Sequence, residues 1–204
     1  MHRQSEECSF LDLCRKNGVE DLKRMLEALE QVGGRGFVAP AAWGMFSYRL
    51  PPMVSPRSRE GDVEALLTSL EELEKTADST GTYIYLEPLN RYEDHMLNTQ
   101  QDAVAIIEKG GFKRVKTTFD FYHMSIEEDD ISQSLKKYKD YIGHIHIAEN
   151  HRYQPGIGSI DWERHMKTLK EIGYDGPVIN EGRVRAEDPK EAYRKSAEFI
   201  RQFI

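Results

Sequence analysis

Cysteine is almost absent: Cys8 and Cys14 are the only two in the chain. Two residues cannot build a disulfide framework, and no Cys-x-x-Cys pair offers thiolate metal spacing, so a reducing, cytoplasmic setting is expected. Long apolar runs are also missing. The opening stretch, MHRQSEECSFLDLCRKNG, has no signal-peptide core, and no segment approaches the roughly 18–20 apolar residues of a membrane span. Basic excess is lacking too. A net charge of −7 argues against a nucleic-acid groove and leaves a small polar substrate open. There is no low-complexity linker, and 204 residues suffice for one good-sized core, so a single domain over residues 1–204 is expected.

What is present is a strict alternation of two patterns. Val19, Leu22, Met25, Leu26, Leu29 and Val32 recur at helical spacing, and Gly33-Gly34 ends that helix. Residues 36–40 read as a strand and residues 41–60, rich in proline and serine, as a long loop carrying Trp43, Phe46 and Tyr48. Helices are expected at 62–79, 100–109, near 130–140, at 160–172 and from Asp188-Pro189 to the end. Strands are expected at 83–87, 115–120, 142–148 and 177–181. Five strands alternating with six helices imply a parallel sheet covered by helices, with its long loops at the C-terminal strand ends where α/β sites are built.

Four of those ends carry a group able to bind a hard cation: Glu87 in YLEPLN, Asp120 in TTFDFYHM, His146 in HIHIAEN and Glu181 in VINEG. Alternation puts His144 and His146 on one face, and Tyr83 and Tyr85 on the face of Glu87, with Ile84 and Leu86 toward the helices. Three buried carboxylates converging with an imidazole would repel one another without a cation. Oxygen donors with one nitrogen suit Mn²⁺, Mg²⁺ or Co²⁺ better than a thiolate zinc site.

LEPLNRYE, DFYHMSIEEDD, GHIHIAENHRYQPGIG and the NEGR segment resemble the sugar phosphate isomerase/epimerase family with a xylose isomerase-like TIM barrel. Within it, the resemblance is strongest to ketose 3-epimerases of the D-tagatose and D-psicose (allulose) type. It covers about residues 33–204, with 33 residues from Glu87 to Asp120, 26 to His146 and 35 to Glu181. The resemblance implies one divalent ion, Mn²⁺ first, held by Glu87, Asp120, His146 and Glu181. It implies that Glu87 and Glu181 also carry the proton, and that Glu93, His123 and Arg152 hydrogen-bond the sugar. The implied reaction removes the C3 proton of a ketose, passes through a cis-enediolate and reprotonates the opposite face.

Other readings stand beside these. Arg152 could pair with Glu149, His123 could cap its loop, and His144 could be a core residue or support a ligand. The acidic run 127–130 reads as a helix start rather than a second metal site, and Pro155-Gly156-Ile157-Gly158 as a turn shaping the site. Aldose–ketose isomerisation of hydroxypyruvate or a sugar phosphate uses similar carboxylates. A DNA-repair endonuclease of the same superfamily would need more histidines and a basic face.

A full (β/α)8 barrel has eight strands and about 250 residues. The five strands here resemble the fourth to eighth, so a truncated barrel of about five βα units is expected. It would have two unpaired edges and an apolar inner face open to water. Low stability alone, a homo-oligomer that covers the opening, or a metal-binding fragment without turnover are the corresponding expectations.

Overall fold

A computed structural model describes residues 2–42 and 57–203, with side chains from residue 12 onward. Trp43, Phe46 and Tyr48 lie outside the described residues. The chain runs α1 (His2–Gln31), β1 (Gly36–Ala39), α2 (Arg59–Thr80), β2 (Tyr83–Leu86), α3 (Gln100–Gly110), β3 (Val115–Asp120), α4 (Phe121–Glu127) and α5 (Ile131–Lys137). A single 3₁₀ turn, Lys139–Tyr141, leads into β4 (Ile142–Ile147), α6 (Trp162–Glu171), β5 (Val178–Asn180) and α7 (Pro189–Arg201). The five strands are all parallel in the order β1-β2-β3-β4-β5, which makes a half-barrel of the TIM type. The expected truncated α/β barrel is what the chain forms.

Two helical boundaries differ from the sequence reading. The first helix begins at His2 rather than near residue 19, because Gly18 lies in open space within it and does not stop it. An isolated helical glycine costs only about 1 kcal/mol. Arg15 on this extension donates to Glu72 of α2 at 3.0 Å. The second difference is α4, a helix where a loop is expected, which follows β3 without a gap.

Alternation along each strand sorts the faces. Phe37, Ile84, Leu86 and Val115 turn outward and pack with Val19 and Leu26 of α1, Leu70 and Leu73 of α2, and Ile106 and Ile107 of α3. Phe119, Ile145 and Ile147 turn outward into a second cluster with Phe121, Leu135, Trp162, Met166, Leu169 and Ile200. Burying each such side chain contributes about 1.5–3 kcal/mol, so both halves of the sheet are anchored by their helices. The inner face is not the apolar surface expected. It carries Tyr83 stacked on Tyr85 at 6.2 Å, Tyr85 stacked on His144 at 5.8 Å, and Lys116 and Thr118 of β3. The strands spend their aliphatic residues on the helices and leave aromatic and polar ones inside.

Between Thr117 and Thr118 the β3–β4 register shifts. Gln100, 1% exposed at the start of α3, absorbs the irregularity: it donates to the Thr118 carbonyl at 3.0 Å and accepts from the Thr117 hydroxyl at 2.5 Å. The α3 terminus itself is closed by a capping box in which Thr99 and Asp102 satisfy each other's backbone N–H groups. Gly81 and Gly111 end α2 and α3 at φ +68° and +65°, a left-handed geometry that favours glycine. Among the described residues no helix is long and apolar enough to cross a membrane.

Thr99→Ala removes one half of the capping box without touching the sheet. It is expected to lower unfolding stability by about 1 kcal/mol, read as a lower urea midpoint at unchanged slope.

Candidate metal centre

Each of the four expected ligands lies at or just past the end of its strand. Glu87 follows β2, Asp120 closes β3, His146 is the penultimate residue of β4 and Glu181 follows β5. One donor atom from each lies within 4.8 Å of all the others. His146 Nδ1 is the hub, 2.9 Å from Glu87 Oε1, 2.8 Å from Glu181 Oε2 and 3.7 Å from Asp120 Oδ2. Glu87 and Asp120 are buried, while the Glu181 side chain is 46% exposed and forms the rim.

Asp120 does two jobs with its two oxygens. Oδ1 accepts from the backbone N–H of Tyr122 at 2.8 Å and of His123 at 3.2 Å, capping α4. Oδ2 is left facing the cluster, where Arg152 Nη1 donates to it at 2.6 Å. The helix α4 therefore starts where it does because the strand ends on a capping aspartate. Its seven residues, with Phe121 and Met124 buried, are too short for a periodic signal in the sequence.

Arg152 pairs with the cluster and not with the Glu149 carboxylate. Its second amino group donates to Glu181 Oε2 at 2.6 Å, and its guanidinium lies 4.6 Å from the centre of the Tyr122 ring. His123 is 2% exposed, and its Nδ1 accepts from the Asn90 backbone N–H at 3.0 Å. Burial pushes its pKa below the ordinary value, outweighing the Asp120 charge. The neutral ring then carries its proton on Nε2. Glu93 accepts from Asn90 Nδ2 at 3.0 Å, so Asn90 joins Glu93 and His123 into one unit. Asn90, fully buried, is a site residue that the sequence reading missed; an asparagine at the head of a loop was its only signal. His144 stands edge-on to His146 at 4.8 Å, beneath the ligands.

The acidic run is structural. The Glu127 carboxylate accepts from the backbone N–H and the guanidinium of Arg91, Glu128 accepts from the first N–H of α3 at 2.7 Å, and Asp130 caps α5. The Pro155–Gly158 segment belongs to a loop folded around Glu149, which accepts from Gly156 N, Ile160 N and Trp162 Nε1.

Charge in the cluster is unevenly shared. Burial raises the pKa of Glu87, and the neighbouring Asp120 charge adds to this against the His146 hydrogen bond. Glu181 is lowered to about 2: burial opposes its charge, but the hydrogen bond from His146 and the His146 and Arg152 charges prevail. His146 is raised to about 10, since its bonds to Glu181 and Glu87 outweigh the cost of burial. Three carboxylates and one imidazole with mutually close donor atoms match the preference of a hard divalent ion, and the group fits.

The family described as xylose isomerase-like TIM barrel matches residues 4–203. The chain belongs to that family. It is 53% identical over 192 residues to 3-dehydro-D-guloside 4-epimerase of Escherichia coli (strain K12), covering 94% of this chain and 73% of that protein. A crystal structure of 3-keto-D-glucoside 4-epimerase from E. coli, apo form, superposes with a TM-score of 0.88 at 53% identity, covering 91% of this chain and 71% of that one. D-Psicose 3-epimerase of Ruminiclostridium cellulolyticum (strain ATCC 35319 / DSM 5812 / JCM 6584 / H10) is 36% identical over 141 residues, 69% of this chain and 48% of that protein. The chain thus spans about three quarters of one curated relative and about half of the other. These similarities place it among carbohydrate epimerases and isomerases.

A cation seated on these four side chains must displace the His146 proton. Because that proton is held up to a pKa of about 10, Mn²⁺ affinity should rise with pH, by up to about tenfold per unit between pH 6 and 9. Calorimetric titration checks the slope, and Asp120→Ala should abolish the heat at every pH.

Proposed function

We propose that this chain catalyses divalent-metal-dependent epimerisation of a sugar at a carbon next to a ketone, with Glu87 and Glu181 as the proton carriers. The observation that carries this is the placement of the two glutamates. Glu87 follows β2 and Glu181 follows β5, two strands lie between them, and both still reach the same nitrogen of His146. Carboxylates approaching one point from two sides are what inversion of a carbon requires.

Glu87, Asp120, His146 and Glu181 would hold a divalent ion, Mn²⁺ ahead of Mg²⁺ and Co²⁺, which would supply Lewis acidity against the negative charge that develops on the sugar. One glutamate removes the proton from the carbon acid and leaves a planar cis-enediolate. The other returns a proton to the opposite face. Arg152 and the Nε2–H of His123 donate to sugar oxygens, and Glu93 accepts from a sugar hydroxyl. Holding the sugar rigidly between the two carboxylates lowers the entropic part of the barrier.

Two substrate classes fit this chemistry. Proton removal at C3 beside a C2 ketone gives the ketose 3-epimerase reading, supported by the D-psicose 3-epimerase relative. Removal at C4 beside a C3 ketone gives a 3-keto-sugar 4-epimerase, favoured by the relative with 53% identity over 94% of the chain. The second is the first class to test.

The protein is incubated with Mn²⁺ in D₂O together with 3-keto-glycosides, free ketoses and aldoses, and the position of deuterium is read by NMR. Deuterium at C4 of a 3-keto-glycoside or C3 of a ketose identifies the class, whereas label confined to C1 or C2 means aldose–ketose isomerisation. Glu181→Gln and Glu87→Gln should each cost about 10²- to 10⁴-fold in turnover. Full activity in Glu181→Gln would end the two-glutamate mechanism.

A further inference from the structure

We infer that Glu149 is a positioning residue whose buried carboxylate seats Arg152 across Asp120 and Glu181. The inference deepens the functional reading above and rests on it for the role of Arg152. Glu149 is 1% exposed and lies outside the four-ligand cluster. Its Oε1 accepts from Gly156 N at 2.7 Å and from Trp162 Nε1 at 2.7 Å, and its Oε2 accepts from Ile160 N at 3.2 Å. These donors come from both ends of the turn and from the first residue of α6. A buried carboxylate is costly unless hydrogen-bonded, and here three neutral N–H groups satisfy it.

The same residue fixes the backbone of Arg152. Arg152 N donates to the Glu149 carbonyl at 2.8 Å, and Glu149 N donates to the Tyr153 carbonyl at 2.9 Å. Arg152 has φ +62°, and among the described residues it is the one non-glycine with positive φ. Such a conformation persists only where its surroundings over-determine it. On its other side the Arg152 carbonyl accepts from Arg183 N at 2.8 Å, two residues past Glu181. The guanidinium is thereby delivered to Asp120 Oδ2 and Glu181 Oε2, each at 2.6 Å.

A carboxylate is needed at 149, because an amide would turn an NH₂ toward at least one N–H donor. Glu149→Gln should therefore release the turn and misplace Arg152. Gly158 offers a second variant: a methyl group there would collide with Glu149 Oε2, with Asn150 Oδ1 at 2.6 Å and with Glu149 Cδ at 2.8 Å, crowding the carboxylate from its seat while leaving residue 152 an arginine.

Mn²⁺ affinity separates positioning from mere structural support, because the two predict opposite signs. Arg152 places positive charge on two of the ligand oxygens, so removing or misplacing it should tighten Mn²⁺ binding. Arg152→Ala, Glu149→Gln and Gly158→Ala are each expected to do so, by on the order of tenfold. Turnover should fall about 10- to 100-fold in the two position-149-directed variants, and Glu149→Gln should add nothing to Arg152→Ala in the double variant. Weaker Mn²⁺ binding in Glu149→Gln, or losses that multiply in the double variant, would overturn the inference. If Glu149→Gln does not fold, Gly158→Ala decides by the same two readouts. Tightened Mn²⁺ binding with full turnover in Arg152→Ala would uphold the positioning and remove Arg152 from the reaction.

Discussion

Glu87 and Asp120 are 6% and 1% exposed, and the positive charge they require governs the C-terminal rim of the sheet. Desolvating one ion costs several kcal/mol, against about 1 kcal/mol for a typical hydrogen bond. The balance at this rim is therefore electrostatic. His146 and Arg152 meet it from two directions, one from the middle of the sheet and one from a loop folded back over the ligands. A divalent ion held there would present more charge than either and would face all three carboxylates at once. Arrangements that tolerate the carboxylates without it must spend two side chains doing so.

The sheet delivers these groups because its strands are parallel and neighbouring in sequence order. Each crossover returns the chain to the same end, so four consecutive units place four ends side by side. Helix capping is built into the same positions. Asp120 ends a strand, caps a helix and keeps one oxygen for the cluster, which leaves no linker in which the ligand could drift. The Gln100 contacts to Thr117 and Thr118 hold β3 at its register shift, and Asp120 sits two residues further on.

The half-barrel and the convergence of four side chains at its strand ends were legible because both depend on strands, and a strand is declared by a period of two. Glu87, Asp120, His146 and Glu181 sit at ends that alternation alone locates. Arg152 was legible as a residue but not in its partner, since a left-handed arginine in a turn obeys no period. The helix α4 was hidden for a related reason: it starts on the last residue of a strand with no glycine or proline to announce it. Reading Gly33-Gly34 as a stop was right, whereas the apolar period that begins at Val19 did not mark the start, because the helix runs on through Gly18 and a helical glycine costs too little to end it. The inner face was misjudged from the general expectation of an apolar barrel, although alternation had already put Tyr83 and Tyr85 on the face of Glu87 and His144 on that of His146.

The ligands and the loops that surround them are held by separate devices. Asp94, 1% exposed, accepts from Ala42 N, Met96 N and Leu97 N, and so ties the loop bearing Glu93 to the end of β1. Glu149 does the equivalent for the loop bearing Arg152. Burial raises the Asp94 pKa, and the backbone N–H groups counter it, so the stability of that loop is tied to its ionised form. Each loop thus has a buried carboxylate of its own, independent of the three carboxylates and one imidazole at the strand ends. Moving the epimerised carbon from C3 to C4 shifts the sugar by one carbon relative to a fixed cluster. Under the proposed function, that shift would ask for different contacts from Glu93, His123 and Arg152 and would leave the four strand-end side chains unchanged. A fold that anchors one cluster on strand ends and the neighbouring polar groups on separately organised loops can change the second while conserving the first.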